Sequence, residues 1–279
     1  MANIGERASL TILHEKSFGL YLDGGDELGE VLLPHREVPK DNVIGEKLDV
    51  FLYTDSEDRP VATLLKPLAL PGEYAKLKCV DVTNVGAFLD WGLPKELLVP
   101  FGEQKRAMDI GKSYLVHVKI DPISERIVAS TRLTRTLDQT PHTHQVGDEV
   151  DLIIFDKGDL GYKAIINHTH SGLIFHDQVF QDLQHGEKVK GYIAGIREDG
   201  KIDLTLHAPR KERVGSLEDT ILTELDARGG YWAIGDHSTA EEIHEELGVS
   251  KRTFKQALGA LFKKGQVEIE KKKGIRKKD

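Results

Sequence analysis

At 279 residues, the chain is too long for one compact core of roughly 100 to 150 residues and ample for several small ones. Hydrophobic residues at 39% and charged residues at 30% describe a globular chain rather than a disordered one, and no stretch approaches the roughly 20 apolar residues a bilayer span requires. The net charge of −8 is unevenly spread: residues 251–279 carry 11 Lys plus Arg against 3 acids, a local +8 that leaves −16 on residues 1–250. A basic end on an acidic body points to an anionic partner at that end.

The N-terminal residues have no basic flank leading into an apolar run, and the single Cys79 can form no internal disulfide. A reducing cytoplasm is the expected location, and a zinc site built on paired thiolates is excluded.

From the N-terminus, one pattern recurs three times: a Gly, a Gly-centred strand, an apolar strand, a second Gly and a last alternating strand. In the first copy these are Gly5, Phe18-Gly19-Leu20-Tyr21-Leu22-Asp23, Val31-Leu32-Leu33-Pro34, Gly45 and Val61-Ala62-Thr63. In the second they are Gly72, Val85-Gly86-Ala87-Phe88-Leu89-Asp90, Leu97-Leu98-Val99-Pro100, Gly111 and Ile127-Val128-Ala129-Ser130. The third reads Gly147, Leu160-Gly161-Tyr162-Lys163-Ala164-Ile165, Leu173-Ile174-Phe175-His176, Gly186 and Ile202-Asp203-Leu204-Thr205. From the first Gly to the end of the third strand is 29, 28 and 29 residues.

About five short strands of period two in each copy, separated by turn residues, predict a small closed antiparallel barrel. That is the OB-type architecture, whose second and third strands carry the ligand face. Alternation puts Phe88 on the open side with Gly86 and Asp90, and Ala87 and Leu89 inside. For Tyr21 and Tyr162, a core role and a surface role are equally compatible with the pattern.

After residue 209 the period changes to 3.6, with Leu217, Ile221, Leu222 and Leu225 on one face, Ser216 as N-cap and Gly229-Gly230 as the stop. Thr239-Ala240-Glu241-Glu242 approximates a capping box for a second helix. Ser250 caps a third, with Phe254, Leu258, Leu261 and Phe262 expected on its inner face. Val267-Glu268-Ile269 and Gly274-Ile275 read as two strands of a wing.

The Val85-Gly86-Ala87-Phe88-Leu89 strand with the apolar strand and Gly111 after it resembles the S1 RNA-binding domain. Three such barrels followed by a winged helix resemble the conserved virulence factor B family. The expected architecture is therefore mainly β: S1-like barrels at 1–66, 67–140 and 141–209, then a winged helix-turn-helix at 210–279.

The resemblance implies single-stranded RNA bound by stacking on Phe18 and Tyr21, on Phe88, and on Tyr162 with His176. Lys76, Lys78, Lys95, Lys105 and Arg106 are placed to track phosphates in the second copy, and Lys163, Lys188 and Lys190 in the third. On the winged helix the candidates are Lys251, Arg252, Thr253 and Lys255 of the third helix and Lys271, Lys272, Lys273 and Arg276 of the wing. Stacking contributes about 1 to 3 kcal/mol per base with little sequence preference. Post-transcriptional regulation is what the family implies. The acidic first copy is expected to matter little for RNA affinity, so that deleting residues 1–66 changes it little.

The chain contains no phosphate-binding Gly-x-x-x-x-Gly-Lys-Ser/Thr loop, nucleophile elbow or His-Glu-x-x-His helix. A non-enzymatic monomer without cofactor or metal is expected. His142 and His144 follow Pro141 in what reads as a linker, and neither they nor His168-Thr169-His170 are expected to hold a metal. The alternatives are a transcription factor whose winged helix reads duplex DNA and, further off, a nuclease or its accessory.

Overall fold

The computed structural model describes residues 2–179, 182–207, 210–270 and 273–278, with the backbone alone for 210–216. Three five-stranded barrels follow one another. The first comprises β1 (Arg7–Lys16), β2 (Gly19–Asp23), β3 (Glu30–Pro34), β4 (Lys47–Thr54) and β5 (Pro60–Thr63), with a single helical turn, α1 (Gly25–Leu28), between β2 and β3. They close in the order β1-β2-β3-β5-β4, β4 returning to pair with β1.

The second barrel, β6 (Tyr74–Val82), β7 (Gly86–Asp90), β8 (Leu97–Pro100), β9 (Ser113–Ile120) and β10 (Ile127–Ser130), repeats that order. So does the third, β11 (Glu149–Lys157), β12 (Gly161–Ile166), β13 (His170–Phe175), β14 (Lys188–Ile196) and β15 (Ile202–Thr205). Alternation builds each interior: Leu20, Leu22, Val31 and Leu33 fill the first, and their counterparts Ala87, Leu89, Leu97 and Val99 the second. The glycine opening each second strand is required sterically. A Cβ on Gly19, Gly86 or Gly161 would stand 2.0–2.3 Å from a carbonyl oxygen of the third strand, a clash no side chain tolerates.

The barrels are not independent beads. Phe51, Tyr53 and Val61 of the first barrel pack in one cluster with Trp91, Leu93 and Met108 of the second, Phe51 meeting Trp91 edge-on at 6.0 Å between ring centroids. The second and third share another core of Tyr74, Leu115, Leu133, Leu137, Ile153 and Ile165. Deleting residues 1–66 would therefore strip apolar cover from the second barrel, which makes that deletion a poor isolated test of binding.

The C-terminal region folds as α2 (Arg210–Ala227), β16 (Tyr231–Trp232), α3 (Ala240–Leu247), α4 (Lys251–Lys263), β17 (Val267–Glu270) and β18 (Gly274–Lys277), with sheet order β16-β18-β17. The capping box at α3 forms: Thr239 Oγ1 accepts from Glu242 N, and the Glu242 carboxylate accepts from Thr239 N. Gly248, at φ 65°, ends α3 in the left-handed conformation and Ser250 caps α4.

Two expectations fail here. Helix α2 starts at Arg210, so Ser216 lies inside it rather than at its cap; Arg210 to Arg213 are strong helix formers and extend it backwards. Phe262 is 54% exposed, unlike the buried Phe254, Leu258 and Leu261. It sits one residue, about 100° of arc, beyond Leu261 and so turns off the inner face.

Candidate nucleic-acid interface

Strand register decides which residues reach the ligand face. Gly19 stands opposite Pro34, Gly86 opposite Pro100 and Gly161 opposite Phe175. Counting from these three glycines, the outward position two residues on is Tyr21 in the first barrel, Phe88 in the second and Lys163 in the third. Tyr162 is one residue too early. It points inward at 4% exposure, and its hydroxyl donates to Asp182 Oδ1 at 2.7 Å. Tyr162 is therefore a core residue, and its assignment as a stacking surface is corrected. Together with the Lys157 ammonium, that hydroxyl holds the Asp182 carboxyl below its ordinary pKa.

In the first barrel, Tyr21 is half-buried, packs on His14 at 4.9 Å between centroids and lies under Lys16 Nζ at 4.7 Å. Phe18, 71% exposed, occupies the loop before β2. Its carbonyl accepts from the amide of His35, which places exposed His35 beside it. The face is aromatic, with Glu30 bonded to His14 Nε2 at 3.0 Å.

In the second barrel, Phe88 is half-buried and stands between Asp81 of β6 and Leu98 of β8. Phe101, 54% exposed, opens the turn after β8. Lys105 and Arg106 are exposed just beyond it, and Arg132 reaches back to Gly102 O at 2.9 Å. The turn after β8 thus carries Phe101, Lys105 and Arg106, with Arg132 bonded to it, and meets the start of β7 where Pro100 pairs with Gly86, two residues before Phe88. Lys78 is exposed on β6 opposite Asp90.

Two lysines expected on this surface serve as struts instead. Lys95 Nζ donates to Thr54 O at 2.8 Å and Asp55 O at 2.6 Å, tying the second barrel to the first. Burial lowers its pKa. Lys76 Nζ donates to His185 O at 3.0 Å, tying the second barrel to the third. Neither ammonium is positioned as a free phosphate contact, because each already serves backbone carbonyls of a neighbouring barrel.

The third barrel carries a cleft of about 940 Å³ over β12, β13 and β15. Loop 158–160 and the hairpin 197–201 bound it, and residues 138–142 of the chain entering the barrel also line it. Lys163, Arg197 and Lys201 line the cleft. They pair with Asp156, Asp203 and Asp199 at 3.2, 2.8 and 2.5 Å. The Arg197 guanidinium also lies over the half-buried Phe175 ring at 5.7 Å. His176 is exposed and donates Nε2–H to Gly158 O at 2.9 Å, latching the loop. Lys188 and Lys190 lie on the β11–β14 side, away from the cleft, with Lys190 paired to Asp151 at 2.9 Å.

On α4, Arg252 and Lys255 are exposed and Lys251 is half-buried, while Thr253 serves the Ser250 cap through its amide and hydroxyl. In the wing, Lys273 is exposed. Arg276 is engaged within the fold, to Glu270 at 3.0 Å and over the Tyr231 ring at 5.3 Å. Lys271 and Lys272 lie outside the described residues.

His35, Phe101, Phe175, Arg132 and Arg197 were missed from sequence. The signal was there for Phe175: aligned by its Gly partner, the third copy spans 28 residues from Gly147 and 11 to Gly186, which matches the second copy better than an alignment on His176. Among the described residues, no group of three His, Cys, Asp or Glu is placed to hold a metal ion. No helix among them is long and apolar enough to cross a membrane.

Comparison with known proteins agrees with this architecture. The S1 domain family matches residues 4–65, and the CvfB-like winged helix domain family matches residues 219–276. The Bacillus subtilis protein YitL is 28% identical, with 94% of this chain and 90% of YitL covered. Conserved virulence factor B of Staphylococcus epidermidis is 25% identical, with 90% and 87% covered. A solved multidomain protein with nucleic acid binding domains from Streptococcus pneumoniae is 21% identical, covers 99% of each chain and superposes with a TM-score of 0.42. The resemblance to the conserved virulence factor B family thus extends over nine-tenths of the chain. S1 barrels and a winged helix in one chain indicate nucleic-acid binding.

Proposed function

We propose that this protein is a non-catalytic RNA-binding regulator acting after transcription, which holds single-stranded RNA on the outer faces of its barrels. The observation that carries this reading is the ligand face of the second barrel, where Phe88 lies outward on β7 and the turn after β8 carries exposed Phe101, Lys105 and Arg106. Flat rings on a face that also carries cations suit unpaired bases, which splay out and stack, with the phosphates tracked by ammonium and guanidinium groups. The winged helix adds exposed Arg252 and Lys255 as a second electrostatic contact. The name shared by the staphylococcal relatives supports a regulatory role.

A second reading has its own observation: Arg252 and Lys255 lie near the capped start of α4, the end that reads base edges when a helix enters a major groove. Fluorescence anisotropy of the full chain with labelled single-stranded RNA and with duplex DNA, at one stated salt concentration, separates the two. The RNA reading expects tighter RNA binding that weakens in Phe88→Ala. Tighter duplex DNA binding that disappears in Arg252→Ala/Lys255→Ala while Phe88→Ala is silent would replace it.

A further inference from the structure

The segment joining the second and third barrels does more than connect them. Leu133 and Leu137 anchor its start in the core shared by the two barrels. Asp138 then adopts φ 60°, a left-handed conformation uncommon outside glycine but open to Asp, whose side chain bonds the neighbouring backbone. Its carboxylate accepts from Ser171 N at 2.8 Å and Ser171 Oγ at 2.6 Å, and its own amide donates to Thr169 O at 3.0 Å. Two residues on, His170 Nε2–H donates to Thr140 O at 2.8 Å. This strap runs along one side of the 940 Å³ cleft, from Asp138 to His142.

The two sides of the cleft differ in chemistry. Arg197 and Lys201 stand on the hairpin side, Lys201 in an exposed pair with Asp199 and Arg197 gripping the half-buried Asp203 through Nε and Nη2. An exposed pair such as Lys201–Asp199 contributes about 0 to 1 kcal/mol, so a phosphate can take over that ammonium at little cost, while the bidentate Arg197–Asp203 pair is the firmer of the two. The strap carries no cation: Gln139, Thr140 and His142 offer hydrogen-bonding groups of the kind that meet base edges. His142 Nδ1 is buried and makes no hydrogen bond. A buried polar atom left unpaired is costly; the His142 ring stands 6.1 Å from the His144 and His170 rings, and on binding it must turn about its Cβ–Cγ bond before a ligand group can pair with Nδ1.

We propose that residues 138–142 form the base-contacting wall of the third barrel, with His142 Nδ1 bonding a base edge while the backbone of the same strand lies along Arg197 and Lys201. The inference rests on the single-strand RNA reading and specifies how one of its barrels selects. It makes the third barrel a bounded subsite for a few unpaired nucleotides, in contrast to the open face of the second. A duplex keeps its Watson–Crick edges paired and cannot present them to such a wall.

The test is hydrogen exchange of the full chain with and without a saturating single-stranded RNA oligonucleotide, paired with anisotropy on His142→Ala and Asp138→Ala. Slowed exchange in 138–142 together with 158–160 and 197–201, and an RNA affinity lowered about fivefold in His142→Ala, are the expected results. His142 lies outside the strap's own hydrogen bonds, so this variant stays informative if Asp138→Ala fails to fold. Protection of 158–160 and 197–201 with 138–142 unchanged, or a His142→Ala affinity equal to wild type, overturns the wall while leaving the RNA reading intact. A wild-type chain that binds no single-stranded RNA defeats the parent reading and this inference with it.

Discussion

The second and third barrels share strand order and the pairing of their central glycine with the end of the third strand, yet their outer faces differ. In the second, the outward position of the central strand is Phe88, open between Asp81 and Leu98. In the third, the same position is Lys163, and the aromatic residue one step earlier, Tyr162, is sealed inside. A shift of one residue in a strand exchanges platform for core. The comparison teaches that an aromatic next to a repeated glycine has no fixed role: its parity relative to that glycine decides which face it takes.

The comparison breaks most readily at the two aromatic residues. Tyr162→Ala should destabilise the third barrel by about 3 to 5 kcal/mol, as large-to-small core changes do, and urea unfolding would register it. An effect below 1 kcal/mol would mean that Tyr162 is not core.

A comparably large effect is expected from acid at the joint between these barrels. Burial lowers the pKa of His117 from 6.5 to about 4. It also lowers that of His168, whose Nδ1 accepts from Tyr74 N at 2.9 Å and must stay unprotonated to do so. A depressed histidine pKa means that the unfolded chain binds more protons. The stability is therefore complete above about pH 6.5 and is lost progressively as pH falls from there to about 4. For His117 the loss amounts to about 3 kcal/mol, measured as the difference in urea stability between pH 7 and pH 4, and His117→Phe should reduce that difference.

Phe88→Ala should leave folding within about 1 kcal/mol of wild type but reduce single-stranded RNA affinity by about 1 to 3 kcal/mol, the reverse of the Tyr162 pattern. Lys190→Ala should do least. Its ammonium is exposed and already paired with Asp151, so stability and RNA affinity should each change by less than about 0.5 kcal/mol.

Much of the fold was legible because spacing carries it: three glycine-centred strands at nearly constant intervals, then a change of period after residue 209, account for three barrels and a winged helix. Caps were legible too, since Thr239 and Ser250 act through neighbours three residues away. The charged site residues were less so. Lys76 and Lys95 look like any exposed lysine in sequence, and only the neighbouring barrel's carbonyls reveal them as struts. Contacts between barrels leave no local period. Phe262 shows the same limit at short range, because one residue of helical phase separates the buried face from solvent.

The central claim is that the barrel faces, more than the winged helix, hold the RNA. Photo-crosslinking of the full chain to a single-stranded RNA bearing 4-thiouridine, with the crosslinked peptides mapped by mass spectrometry, tests it directly. The account predicts that crosslinks fall mainly on the segments 86–101 and 158–176. Crosslinks confined to residues 251–278 would contradict it.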